Sequence, residues 1–179
     1  MPTIPSASAA AHAAGSTTGA RNLAGFSSIP LFTGDLEPFG SAVTTDGRTL
    51  WAVHRDGDGH ETGREIIRGG LRPTFAFTRG GSRALFRSPG RLRPRVVIAD
   101  GPLPAICLAA FEGHRLASGT SYLAPGRAWT LAASSTLHAL LRGAEPKEVV
   151  LAFALAPDGS CRSRVEVRGC SVSSTRLGS

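Results

Sequence analysis

Lysine is almost absent from this chain: of 20 basic side chains only Lys147 is one, so the net charge of +7 is carried by arginine. Guanidinium groups favour planar, bidentate contacts, and their excess points either to a phosphate-bearing or otherwise acidic partner or to a coding bias toward Arg, Ala and Gly. Aromatic residues make up 6% of the chain. That excludes a long series of rings for base stacking, so any nucleic-acid contact is expected to be mainly to phosphate. Cysteine is scarce and odd in number. Cys107, Cys161 and Cys170 form neither a CxxC pair nor a metal-ligand spacing, and buried, reduced thiols are expected. No apolar run approaches the ~18 residues of a membrane span. No membrane partner is expected, and the chain reads as cytoplasmic. Large apolar side chains are also rare in residues 1–24, which read as a disordered arm without a secretory h-region.

What is present is enough for a core, with 179 residues of which 41% are hydrophobic. The organising stretch is residues 95–113, RVVIADGPLPAICLAAFEG, because its period changes halfway. Val96, Val97, Ile98 and Ala99 form a continuous apolar run, as a strand buried on both faces requires. Asp100-Gly101 breaks the run. Pro102 then opens a helix whose apolar face includes Ala105, Ile106, Leu108, Ala109 and Phe111, with Gly113 as its stop. The loop between strand and helix is where an open α/β sheet places ligands and catalytic carboxylates, and Asp100 occupies it.

Residues 120–124 read as a second strand and residues 129–142 as a helix with Leu131, Leu137, Leu140 and Leu141 near one face and Gly143 as its stop. Residues 148–156, EVVLAFALA, read as a third strand, giving βαβαβ. Val97 and Val149 are expected in adjacent or near-adjacent parallel strands with Asp100 at their carboxyl edge. Residues 162–168 alternate like an exposed edge strand.

Upstream, residues 26–87 carry strand and turn signals. Residues 49–54 and 62–67 are expected to pair across the Asp56-Gly57-Asp58-Gly59 turn. The turn is not a calcium loop, because Glu61 and Ile67 stand where glycine and glutamate are needed. His54 and His60 flank it and read as surface residues. Gly80-Gly81-Ser82 forms a turn between aromatic-bearing segments, with Arg79, Arg83 and Arg87 nearby as candidate phosphate contacts. It is either an ordinary turn on a basic surface or an anion nest.

Several separate motifs fall in an order that resembles a known family. Residues 51–56, WAVHRD, and 76–87, AFTRGGSRALFR, are similar to the small domain that precedes a toprim domain in plasmid-borne, primase-like proteins. Residues 97–112, and 120–130 with Tyr122, Gly126 and Trp129, resemble the first half of that toprim domain. The resemblance covers roughly residues 40–159. It implies an α/β fold, a toprim-like parallel sheet with flanking helices, preceded by a small β-rich region and the N-terminal arm. The implied boundaries are an arm at 1–24, a β-rich domain at 25–93, a toprim-like domain at 94–172 and a tail at 173–179.

The resemblance also implies magnesium chemistry related to DNA primase and topoisomerase. Toprim enzymes carry a glutamate after the first strand as general acid/base, and here Asp100 stands there, one methylene shorter, with Pro104 replacing a further acidic residue. With Gly159 aligned to the metal motif's glycine, the two ligand positions are Ala154 and Ala156, which supply no side-chain oxygen. Asp100 and Asp158 are the remaining candidate magnesium ligands. The glycine-rich loop reads Gly126-Arg127-Ala128, which adds Arg127 to the nucleic-acid candidates. Three functions follow from different classes. The first is a catalytically impaired, DNA-binding toprim-like protein of a mobile element that needs no cofactor. The second is a magnesium-dependent nucleotidyl-transfer or strand-cleaving enzyme, and the third a non-catalytic protein-interaction or remnant protein.

Overall fold

The computed structural model describes residues 22–26, 31–126, 129–153 and 171–174. Its centre is β6 (Arg95–Ala99), flanked in parallel by β7 (Thr120–Ala124) and β8 (Glu148–Ala152). Val97 and Val149 are fully buried, and Ala99 pairs with Ala152, so the carboxyl ends of β6 and β8 lie side by side. Asp100 is the next residue. The expected placement is therefore what the fold contains.

The apolar runs are continuous because both faces of these strands are covered. Val97, Ala99, Tyr122 and Val150 pack with α1 (Pro102–Ala117), whereas Val96, Ile98, Leu123 and Val149 pack with Leu137 and Leu141 of α2 (Leu131–Ala144). Proline at the first turn of α1 costs no hydrogen bond. Gly113 does not stop that helix as expected: it kinks it at φ 74°, and the chain resumes helical turns to bury Ala117. Helix α2 starts after Thr130, whose hydroxyl accepts a hydrogen bond from the Ala133 N–H at 3.1 Å. It runs past Gly143 and ends on Glu145, a left-handed cap at φ 45°. Leu131 lies in its first turn and is 85% exposed, so it is not part of the apolar face.

The antiparallel region continues the same sheet. β2 (Thr49–Arg55) and β3 (Glu61–Arg68) form the expected hairpin, with β4 (Thr74–Phe77) outside β3. Along its other edge β2 pairs with β1 (Val43–Thr45) and then with β5 (Leu85–Arg87), which pairs in turn with β7. Residues read as turns before β1 are instead 3-10 helical over Thr33–Ala42, burying Leu36, Phe39 and Ala42 on the α1 side. Leu23 and Phe26 join that core, so packing begins inside the stretch expected to be an arm. A short turn at Ala24–Phe26 approaches the sheet so closely that a side chain at Gly69 would meet the Gly25 backbone.

The last described strand, β9 (Ser171–Ser174), pairs in parallel with β8, where the sequence reading has the end of a domain and a tail. The edge strand expected at 162–168 lies outside the described residues, as do Ala154, Ala156 and Asp158. No described helix is long and apolar enough to cross a membrane.

Candidate functional site

The carboxyl ends of β6, β7 and β8 form one edge of the sheet, and β2 ends on the same edge because it runs parallel to β7 through two antiparallel steps. Asp100 is half-buried there, immediately before the buried Gly101 that caps α1 without a side-chain hydrogen bond. Beyond β7, Pro125 and Gly126 are buried. Gly126 has φ 79°, and a Cβ on it would come 3.0 Å from His54 Cε1 and 3.2 Å from Glu65 Oε2. Glycine is required on both counts, by the left-handed backbone and by the close approach.

Those two neighbours are the least expected part of the site. His54 is not a surface residue but fully buried, and Glu65 is 1% exposed. The alternation of β2 carries the signal: His54 is in phase with the buried Leu50 and Ala52, and Glu65 pairs with Ala52. His54 Nδ1 faces the Ala84 carbonyl at 3.2 Å, which makes it the donor of that bond. Its Nε2 stands 3.5 Å from Glu65 Oε2. Neither Glu65 oxygen nor His54 Nε2 has a hydrogen-bond partner among the described residues. Phe77 closes the cluster, edge-on to His54 with ring centroids 5.2 Å apart.

The β4–β5 connection brings Arg83 to this cluster and carries the exposed Arg79 on the same edge. Arg83 lies over the Phe77 ring at 5.0 Å, a cation–π contact, and its carbonyl accepts a 2.9 Å hydrogen bond from the Thr130 hydroxyl. That bond ties the start of α2 to the arginine-bearing connection. The glycine turn itself is an ordinary turn, because the Gly81 N–H donates to Thr78 and the Ser82 N–H to Thr62. Arg87 is separated from the other two. It shares the opposite sheet face with Leu85 and reaches toward the β2–β3 turn, where a Cβ on Gly59 would come 3.3 Å from its Nη2. Among the described residues, none of Arg79, Arg83 and Arg87 has a carboxylate within ion-pair distance; Arg127 lies outside them.

Asp100 could supply one of the one or two carboxylates through which magnesium usually binds protein, with substrate phosphates as its further ligands. No group of three candidate ligands among the described residues gathers at Asp100. Among the described residues such a group forms only at Asp56, Asp58 and His60. There Asp56 Oδ1 already accepts from the Asp58 and His60 N–H groups, as a turn aspartate does.

A second polar network lies toward the opposite edge, where Arg95, Thr120 and Glu148 begin the three parallel strands. Tyr122 donates to Glu112 Oε2 at 2.6 Å, and Arg95 binds both Glu112 oxygens at 2.7 and 3.0 Å, fastening α1 to β6 and β7. Burial and the adjacent Glu112 push the Tyr122 phenol far up, while the Glu112 hydrogen bond holds the Arg95 guanidinium more firmly protonated.

No family model matches the chain, and no curated protein matches it in sequence. A solved structure matches it in fold. The primase fragment of the bacteriophage T7 primase-helicase protein superposes with a TM-score of 0.54 at 17% identity, over 85% of this chain and 64% of that one. The chain therefore spans a little under two thirds of that fragment. The Aquifex aeolicus primase fragment, comprising zinc-binding and RNA polymerase domains, matches at a TM-score of 0.39 and 15% identity, over 68% of this chain and 33% of that one. What the chain shares with the first is the fold, a primase-like, toprim-like α/β sheet with flanking helices.

Proposed function

We propose that this is a primase-related, toprim-like DNA-binding protein of a mobile element, acting in the cytoplasm, whose catalytic centre is impaired. The observation that carries this reading is the position of Arg79 and Arg83. Both stand on a connection anchored to α2 at the edge where Asp100 ends β6, and neither has a described carboxylate partner. Guanidinium groups in that state favour phosphate oxygens, whose recognition needs no sequence-reading contact. Asp100 is the residual acidic group, and Ala154 and Ala156 at the metal-motif positions support the loss of metal-dependent chemistry.

Two measurements test it. DNA affinity should fall steeply with salt, and Arg79→Ala with Arg83→Ala should flatten the slope of log K against log salt by about 1 for each phosphate no longer neutralised. Affinity that stayed level across the titration would contradict the reading. Magnesium at millimolar concentration should raise the melting temperature no more than sodium at matched ionic strength. A site filled at about a hundredfold above its dissociation constant would add roughly 2.7 kcal/mol. A magnesium-specific rise abolished by Asp100→Ala would instead favour the metal-dependent enzyme.

A further inference from the structure

The face of the antiparallel strands turned away from α1 and the 3-10 segment carries a ring among arginines. Strand alternation and register fix its members. Trp51 pairs with Ile66, Ile66 with Ala76, and Trp51 on its other side with Thr44. Arg64 pairs with the buried Val53, Arg68 with Thr49, and Arg55 with Leu85, and all point to the same side. Arg87 joins them two residues after Leu85. Helix α2 packs on β5 and on the parallel strands, and neither described helix has its apolar face on this part of the sheet.

Its chemistry is one-sided. Among the described residues, four arginines, Arg55, Arg64, Arg68 and Arg87, share the face with one carboxylate, Glu61, which bridges Arg64 at 2.7 Å. Arg55 donates to the Gly59 carbonyl, and Arg68 is exposed. The Thr49 and Val53 rows lie on either side of Trp51 and are about 13 Å apart at the usual strand rise. Cations therefore border the ring on both sides. Trp51 is flanked by Thr44 on one side and Ile66 on the other, with the small Ala76 beyond Ile66, and the indole is only half-buried. A flat ring accessible on a sheet and bordered by guanidinium groups suits an unpaired base with its flanking phosphates, whereas duplex DNA keeps its base faces stacked.

We infer that this sheet face binds single-stranded DNA, with Trp51 stacking on a base and Arg55, Arg68 and Arg87 holding the flanking phosphates. The inference rests on the DNA-binding reading above but concerns a different surface, away from the Asp100 edge. The only other tryptophan is Trp129, so Trp129→Phe leaves Trp51 as the sole indole reporter. In that variant, oligodeoxythymidine should quench the indole emission. Trp51→Ala should weaken binding of the same oligomer roughly tenfold while leaving duplex affinity unchanged. Arg68→Glu, at an exposed position that folding does not depend on, should weaken it severalfold and flatten its salt dependence. Unchanged emission at saturation, an equal loss for duplex, or tighter binding of oligouridine would overturn the inference. If Arg79→Ala and Arg83→Ala reduce binding while Trp51→Ala and Arg68→Glu do not, the platform is excluded and the edge reading survives. Failure to bind any DNA removes both.

Discussion

His54 Nε2 stands 3.5 Å from Glu65 Oε2, and both side chains are buried within a sheet otherwise lined by apolar groups. The pair is an expense to the fold, since neither carboxylate oxygen has a described hydrogen-bond donor. Removing one member leaves the other alone in a dry site, at a cost of about 1–3 kcal/mol; replacing both with apolar groups of the same shape can be nearly neutral or stabilising. His54→Leu and Glu65→Leu should therefore each lower the melting temperature by more than the double variant does. Additive losses in a double-mutant cycle would show that the two side chains do not act on one another.

Gly126 is the residue pressed against that pair. Alanine there needs a left-handed backbone at φ 79°, costing about 1–2 kcal/mol, and also thrusts a methyl against His54 Cε1. Gly126→Ala should destabilise by more than the backbone term alone, and adding His54→Ala should recover the excess, as read by urea denaturation. An identical loss in both backgrounds would confine the effect to the backbone.

Glu112 joins α1 to two strands through Tyr122 and Arg95. A hydrogen bond to a charged group contributes about 1.5–3 kcal/mol, so Tyr122→Phe should cost about that much. Glu112→Leu should cost more than Tyr122→Phe, because it also leaves Arg95 with only the more exposed Glu148 as a carboxylate partner, at 3.4 Å. If Tyr122→Phe unfolds at the same denaturant concentration as the parent, the phenol bond contributes nothing net.

Cys107 tests burial through pH. Desolvation raises its thiol to about 11. The protonated form is favoured in the folded state, so its contribution is intact below the thiol's ordinary value near 9.0 and is lost as pH rises from there through about 11. In a Cys161→Ser, Cys170→Ser background, alkylation at pH 8 should run well below the rate of an unfolded control. The melting temperature should fall faster between pH 9 and 11 than in Cys107→Ala. A rate equal to the control's would place the thiol in solvent.

The sequence disclosed the parallel half because continuous apolar runs have few other uses: β6 and β7 lie where Val96 to Ala99 and Thr120 to Ala124 put them. Its helix boundaries were less legible. Gly113 and Gly143 looked like stops, yet Ala117 still had apolar surface to bury and Glu145 could take the left-handed cap. Leu36, Phe39 and Ala42 recur every third residue, a 3-10 period hidden by the Pro and Gly between them. The place of Asp100 at the carboxyl end of β6 is legible in the strand-loop-helix pattern. Ligand spacing alone leaves His54 at the surface, whereas the period of two along β2 turns it inward with Leu50 and Ala52. Trp51 was grouped with its motif, whereas its register to Ile66 and the arginines of β3 depends on a cross-strand pairing that no single segment encodes.

Strand β5 has three residues, and it is the only strand through which the described antiparallel and parallel strands are hydrogen-bonded together. Its ladder to β2 comprises two residue pairs, and so does its ladder to β7, with Phe86 in both. Phe86 thus works as a zipper pull between the antiparallel and the parallel strands, and amide exchange at its ladder pairs is the measurement that would register any opening between them. Because this seam also carries the backbone from Arg83 to Arg87, loosening it would change the distance between those two guanidinium groups.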